Sequence, residues 1–299
     1  MATAKGTHIE RTANEPRDSS LHDLIIKSIN QISPVIRIIQ LSIPPPTTSS
    51  RSIQYLPGQW LDLYHPPFTP NQKPGGFTIT SSPSPSSPQN TTIELAIQSS
   101  PSNPPAAYLW QDPPTSLLNT PVKVRIGGSF VFPPPSPSFP VKKVVFVAGG
   151  VGINPLMSML SFISQDPALA NHLDVRVLYG FKDPGLPEHL SHVLFLGRIV
   201  GLFASSKLKG KVELFITQSK STDNNNLTEL KVGGASVPVN RRRIELGDVK
   251  EVLGEDIQDS VVYICGVPAM TDELAEGLIS LPPKGLGIDS KRVLYEKWW

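Results

Sequence analysis

The sequence predicts a two-domain chain: an all-β domain of antiparallel strands, built as a barrel or a sandwich, and then an α/β domain on a parallel sheet. Three observations carry this. The chain has 299 residues, more than a single hydrophobic core usually serves. Its 32 prolines, about twice ordinary usage, cluster with serine in the first half. After residue 140 the short, punctuated runs give way to nearly continuous apolar ones.

Residues 1–20 hold no apolar run and mix their basic residues with Glu10, Glu15 and Asp18. They read as a flexible tail and argue against a secretory signal. An intracellular compartment, mitochondrial or cytoplasmic, is expected. From 21 to 139, "VIRIIQLSI" (35–43), "QWLDLYH" (59–65), "GFTIT" (76–80), "TIELAIQ" (92–98) and "VKVRIGG" (122–128) are rich in β-branched and aromatic residues. The clusters "SIPPPTTSS", "SSPSPSSPQN", "SSPSNPP" and "PPPSPSFP" punctuate them, as turns do in an all-β fold. From 140 to 299, "VKKVVFVA" (141–148), "VRVLYG" (175–180), "VELFIT" (212–217) and "VVYICG" (261–266) suit strands buried on both faces. Helices are expected at 155–164 and at 268–280, where Met270, Leu274 and Leu278 share one face. Alternating β and α implies a parallel sheet. The polar segment 219–230 reads as a surface loop.

Several function classes are disfavoured. A net charge of +2 lacks the basicity of a nucleic-acid binder. A single cysteine, Cys265, excludes an intrachain disulfide and any cysteine-based zinc or iron–sulfur site. Residues 144–163 carry no charge, but Gly149, Gly150, Gly152 and the Asn154-Pro155 pair argue against a membrane span. The six histidines show no metal-binding spacing, and no G-x-S-x-G elbow occurs.

Two turns are the candidate sites, each readable either as a ligand contact or as a structural turn, with Cys265 then a buried small hydrophobe. In "VAGGVGINPLMSML" (147–160) an apolar strand runs through a glycine turn into a helix. That layout aims unpartnered amides and the positive end of the helix dipole at an anion. Asn154 is expected to cap the helix and Pro155 to begin it. Proline replaces the third glycine of the dinucleotide fingerprint and no acid follows at the usual offset, so a simple Rossmann dehydrogenase is excluded. In "YICGVPAM" (263–270) a second buried strand enters a turn and a proline-started helix. Both turns can face one crevice of a parallel sheet, with Cys265 at the ligand end of its strand.

The pairing of "AGGVGINPLMSM" with "YICGVPAMTDEL" resembles the ferredoxin–NADP reductase-like flavoprotein family, which carries GGxGxxP and later a C-G-x-P-x-M turn. "PGQWLDLYHP" (57–66), "GGFTITSSP" (75–83) and "VRIGGSFVF" (124–132) are similar to its barrel strands and flavin motif. The ending "YEKWW" (295–299) with the Gly-Gly-Phe variant looks like the oxidoreductase NAD-binding domain-containing subgroup.

The resemblance implies an FAD-binding barrel over 21–139, with FMN as an alternative cofactor, and an NAD(P)-binding α/β domain over 140–299. Hydride would pass from NADH or NADPH to the flavin, and electrons to an unidentified acceptor. It implies that Phe77 packs on the isoalloxazine and that Thr78 lies near its N5. Thr80 and Ser81 would meet the ribityl chain or phosphate, and a helix started by Asn103 would point at the phosphates. Gly150, Val151 and Gly152 would line the dinucleotide pyrophosphate, Gly149, Asn154 and Pro155 would belong to the same cofactor-binding turn, and Tyr179 and Gly180 would lie beside the nicotinamide dinucleotide. Cys265, Gly266, Pro268 and Met270 would border the nicotinamide. Thr78, Cys265 and Glu296 would surround the transferring hydride, and Trp298 or Trp299 would cover the flavin. Arg241, Arg242 and Arg243 are candidates for a 2′-phosphate.

The sequence departs from the motif at Gly75, where the family has an arginine, and at Phe77, which lacks the tyrosine hydroxyl. The alternative reading is therefore a non-catalytic nucleotide-binding or regulatory protein with a degenerate flavin site.

Overall fold

The computed structural model describes residues 6–43, 53–83, 92–135, 139–185, 187–218 and 228–298. The chain divides into two compact units, Met1–Pro133 and Pro134–Trp299.

The expected flexible tail does not hold for residues 6–20. A short helix, α1 (His8–Arg11), is fixed by a capping box in which Thr7 and Glu10 satisfy each other's amides. The cause is Asp62, whose side chain is fully buried. A buried carboxylate requires cationic and hydrogen-bonding partners, and it finds the guanidinium groups of Arg17, Nε at 3.2 Å, and Arg125, Nη2 at 2.7 Å, with the His8 imidazole hydrogen-bonded through Nε2 at 3.0 Å. Arg17 also bridges to Gly127. Composition hides this, because the partners lie far apart in sequence.

The first unit is built from β1 (His22–Ser33), β2 (Ile36–Ser42), β3 (Trp60–Tyr64), β4 (Gly75–Thr78), β5 (Thr92–Gln98) and β6 (Pro121–Gly127), in the order β4-β3-β6-β1-β2-β5. All neighbours are antiparallel. A bridge from Ile79, just past β4, to Leu95 on β5 brings the two edges together. The sheet therefore closes as a barrel, which leaves no long unpaired edge. Alternate residues point inward: Leu24 and Ile26, Ile39 and Leu41, Leu61 and Leu63, then Val122, Val124 and Ile126 form one core. Helix α2 (Pro104–Leu109) adds Ala106 and Leu109 to it.

The second unit is a seven-stranded sheet of β7 (Lys143–Gly149), β8 (Asp174–Lys182), β9 (Gly210–Thr217), β10 (Glu229–Val232), β11 (Ala235–Asn240), β12 (Ser260–Gly266) and β13 (Val293–Lys297). The order is β10-β11-β9-β8-β7-β12-β13, parallel throughout except for the β10–β11 hairpin. The helices are α3 (Ile153–Gln165), α4 (Pro167–His172), α5 (Leu196–Ala204), α6 (Leu246–Leu253) and α7 (Pro268–Ile279). Every residue of β12 is buried, as a strand covered on both faces requires. Leu274 and Leu278 of α7 pack with Val147 and Ile264 into the core, with Met270 at its margin. Most of the expected surface loop at 219–230 lies outside the described residues, and its last two residues open β10. Among the described residues no helix is long and apolar enough to cross a membrane.

Candidate functional site

In the second sheet β8 and β9 lie on one side of β7, and β12 and β13 on the other. The chain thus reverses its direction of travel across the sheet between β7 and β12, and ligands of open α/β sheets bind at the strand ends beside such a switch. The two turns that the sequence singles out follow these two strands. Cys265 pairs in register with Ala148. A Cβ on Gly152 would collide with the Cys265 carbonyl, so only glycine lets the turns approach this closely. Met270 packs over both, with its sulfur 3.0 Å from where a Cβ on Gly149 would stand and its methyl group likewise against Gly266.

Gly150 adopts φ +55°, and a side chain there would meet nothing within 4 Å. Its backbone is strained for any other residue, and its open side faces free space. Gly150, Val151 and Gly152 form a 3-10 turn that runs directly into α3. The expected capping role of Asn154 is therefore corrected. Gly152 caps the helix, Asn154 and Pro155 lie inside the first turn, and both are buried. The preceding 3-10 turn already sets the helical direction, so the helix starts two residues earlier, at Ile153. The cradle is left to backbone groups of Gly149, Gly150, Val151 and Gly152, which fits a pyrophosphate approaching closely.

Cys265 is fully buried, and burial, with the Glu296 charge adding to it, pushes its thiol well above the usual range. Burial of this kind disfavours the thiolate, the nucleophilic form. Glu296 faces it across the β12–β13 register and accepts a hydrogen bond from the Trp298 indole at 2.7 Å. The Trp298 amide donates to the Gly266 carbonyl at 3.0 Å. The end of the chain is thereby fastened to the turn that carries Gly266 and Pro268. Sequence reading had no signal for that bond. Trp299 lies outside the described residues.

Tyr179, expected beside the dinucleotide, has its side chain turned into the core. Its ring is 1% exposed, and its hydroxyl donates to the Leu194 carbonyl at 3.0 Å. Burial raises its pKa. Gly180, next in β8, stays half-exposed and lies against Ile244. Of the three arginines, Arg241 pairs with Asp183 at 3.5 Å. Arg242 grips Asp248 with both terminal nitrogens, at 2.7 and 2.6 Å. Arg243 is exposed beside Ile244.

In the first unit Thr78 is 4% exposed and pairs with Trp60. Phe77 points the other way, into the core beside Leu61 and Ile126. Phe77, expected to pack on an isoalloxazine, is sent inward by strand alternation, while Gly76 and Thr78, the register partners of Asp62 and Trp60, take the other side. A Cβ on Gly75 would come within 2.7 Å of both the Phe77 ring and Pro105, so the space of the family's arginine is filled. Thr80 donates to Glu94 Oε1 at 2.9 Å, and Ser81 lies 3.1 Å from the Tyr55 hydroxyl while accepting from the Glu94 amide at 3.0 Å. Both hydroxyls, expected to meet a flavin, are thus engaged with β5 and Tyr55. Asn103 does stand before α2, with no hydrogen bond from its side chain to the helix. Among the described residues no group of three or more His, Cys, Asp or Glu could hold a metal.

No protein-family model matches the chain. A curated relative from Danio rerio, named oxidoreductase NAD-binding domain-containing protein 1, is 29% identical over 300 residues, covering 98% of this chain and 97% of its own. Among solved structures, the flavohem-like FAD/NAD binding domain of nitric oxide dioxygenase from Vibrio cholerae O1 biovar El Tor is similar at TM-score 0.63 and 17% identity, covering 93% of this chain and 98% of its own. A ferredoxin NADP+ reductase from Neisseria gonorrhoeae, with bound FAD and NADP, reaches TM-score 0.62 at 15% identity over 94% of this chain and 99% of its own. Along nearly its whole length, then, the chain has curated homologues named oxidoreductase NAD-binding domain-containing protein 1, and its fold is the two-domain fold of the ferredoxin–NADP reductase-like flavoproteins.

Proposed function

We propose that the protein is an NAD(P)H-dependent flavin oxidoreductase that passes electrons on to an acceptor. The observation that carries this reading is the contact of the Gly149–Gly152 turn with the Cys265–Gly266 turn at the switch point of the parallel sheet. That arrangement suits a dinucleotide held by main-chain amides. A bound flavin would supply the chemistry, accepting hydride from the nicotinamide and releasing electrons to the acceptor. The chain's own share is to hold the nucleotide along Gly149, Gly150, Val151 and Gly152 and to keep Cys265 neutral beside it. Arg243 is the guanidinium available to a 2′-phosphate.

A second reading has its own support. Gly75 leaves no room for the motif arginine, Phe77 faces the core, and Thr80 and Ser81 are engaged. A flavin would rely on the main chain of β4 and the start of α2, or the protein would bind nucleotide alone. The visible spectrum after incubation with FAD or FMN and removal of free flavin, followed by anaerobic NADH or NADPH, separates the two. Retained colour that bleaches supports the reductase. A colourless protein that still binds nucleotide supports the second reading.

A further inference from the structure

We propose that His8 is a positioning residue for the strand Gly75–Thr78, acting from outside that strand in place of the side chain that Gly76 lacks. A Cβ on Gly76 would collide with the His8 imidazole, so the ring occupies the very space a side chain at 76 would take. The ring is held from two further sides. Its Nε2 lies 3.0 Å from Asp62 Oδ1, and it packs edge-on against Trp60 at a centroid distance of 4.7 Å. Asp62 and Trp60 are the register partners of Gly76 and Thr78. One imidazole thus touches the group opposite each of them.

The segment bearing His8 is anchored independently. Arg17 lies 4.8 Å above the Trp60 ring and donates to Asp62. The Asp18 amide donates to Ile126 at 2.8 Å, and the Gly128 amide to Pro16 at 3.0 Å. Residues 8–18 therefore form a strap over the outer face of β3, β4 and β6. The pairing of a glycine with a distant imidazole has a consequence for Thr78. Thr78 shares the strapped face, so the strand cannot roll or slide without moving the ring, and the ring cannot leave without exposing buried Asp62. The role of β4 under a flavin rests on the reading proposed above; the role of His8 in fixing the strand does not.

The test uses the full chain with His8→Ala, His8→Gln, Gly76→Ala and the His8→Ala/Gly76→Ala double variant. Amide hydrogen exchange at residues 76–78 reads the strand, and titration with FAD and FMN reads the flavin. His8→Ala should speed exchange there by about tenfold or more, the factor that corresponds to 1.4 kcal/mol. His8→Gln, which keeps a donor toward Asp62, should restore most of the protection. Gly76→Ala should speed exchange in the parent chain and add nothing in the His8→Ala background, because the methyl group then enters vacated space. Flavin affinity should follow the same order. Additive effects of the two substitutions, or equal loss in His8→Ala and His8→Gln, would overturn the proposal. A chain that binds no flavin yet shows the expected exchange pattern would remove the flavin reading and leave His8 as the residue that sets β4. Flavin binding that persists unchanged in His8→Ala while exchange rises would overturn the link between the strap and the cofactor.

Discussion

Gly150 and Gly152 sit in one turn but are needed for different reasons, and substituting each with alanine tests the proposed nucleotide cradle. At Gly150 the space is open and only φ +55° opposes a side chain, so Gly150→Ala should cost about 1–2 kcal/mol of stability, the penalty of left-handed backbone for an L-residue. At Gly152 the backbone angles are ordinary, but the methyl group would strike the Cys265 carbonyl and come within 2.8 Å of the Gly266 amide. No flexible side chain can yield there. Forcing a methyl group into packed backbone costs about 1–3 kcal/mol and separates the two turns. Denaturant unfolding gives both stabilities, and calorimetric titration with NADH and NADPH gives the affinities. Both variants should lose affinity by about tenfold or more, equivalent to 1.4 kcal/mol. In Gly150→Ala the loss comes from a methyl group in the space kept for the ligand, and in Gly152→Ala from displaced amides. If both variants unfold as expected yet bind both nucleotides as the parent chain does, the turn is structural and the cradle is refuted.

Three further outcomes follow from the geometry. Burial alone would raise the Asp62 pKa, but hydrogen bonds from His8 and Arg125 and the Arg17 charge hold it below the ordinary range. Its folded value is then below its unfolded value of about 3.9. The stability it contributes is present above that value and is lost as pH falls through the folded one. Unfolding curves between neutral and acid pH should show this loss in the parent chain and a flatter profile in Asp62→Asn, at lower overall stability. Arg243→Ala should weaken NADPH binding by about tenfold, the scale of one charge-assisted hydrogen bond, and leave NADH nearly unchanged. Equal weakening of both would remove Arg243 from a 2′-phosphate role. Cys265, buried and with its thiol pushed up, should resist alkylation in the folded protein and react fully on unfolding; rapid labelling of the native chain would contradict its placement.

The parts of the fold carried by local pattern were legible in the sequence. The apolar runs of β7, β8, β9 and β12 are unbroken because both faces are covered, and each motif turn sits where a strand must hand over to a helix. Less visible was β1, whose solvent-facing residues Lys27, Ser28, Asn30 and Gln31 dilute its apolar alternation. The strap was not legible. Its helix is four residues long, and its stability comes from Asp62 and Trp60, which no window around His8 contains. The site was legible to the same extent. Glycines mark positive φ, as at Gly150, and close approaches, as at Gly152, so both could be found from sequence. Which way Tyr179 and Phe77 point depends on strand register, and the partners that engage Thr80 and Ser81 come from β5 and from Tyr55.

The measurement that bears most directly on the central claim is the anaerobic spectrum of the full chain after loading with FAD or FMN and removal of free flavin. A flavin band should be retained and should bleach on addition of NADH or NADPH. A chain that keeps no flavin, or keeps one that neither nucleotide reduces, would contradict that claim.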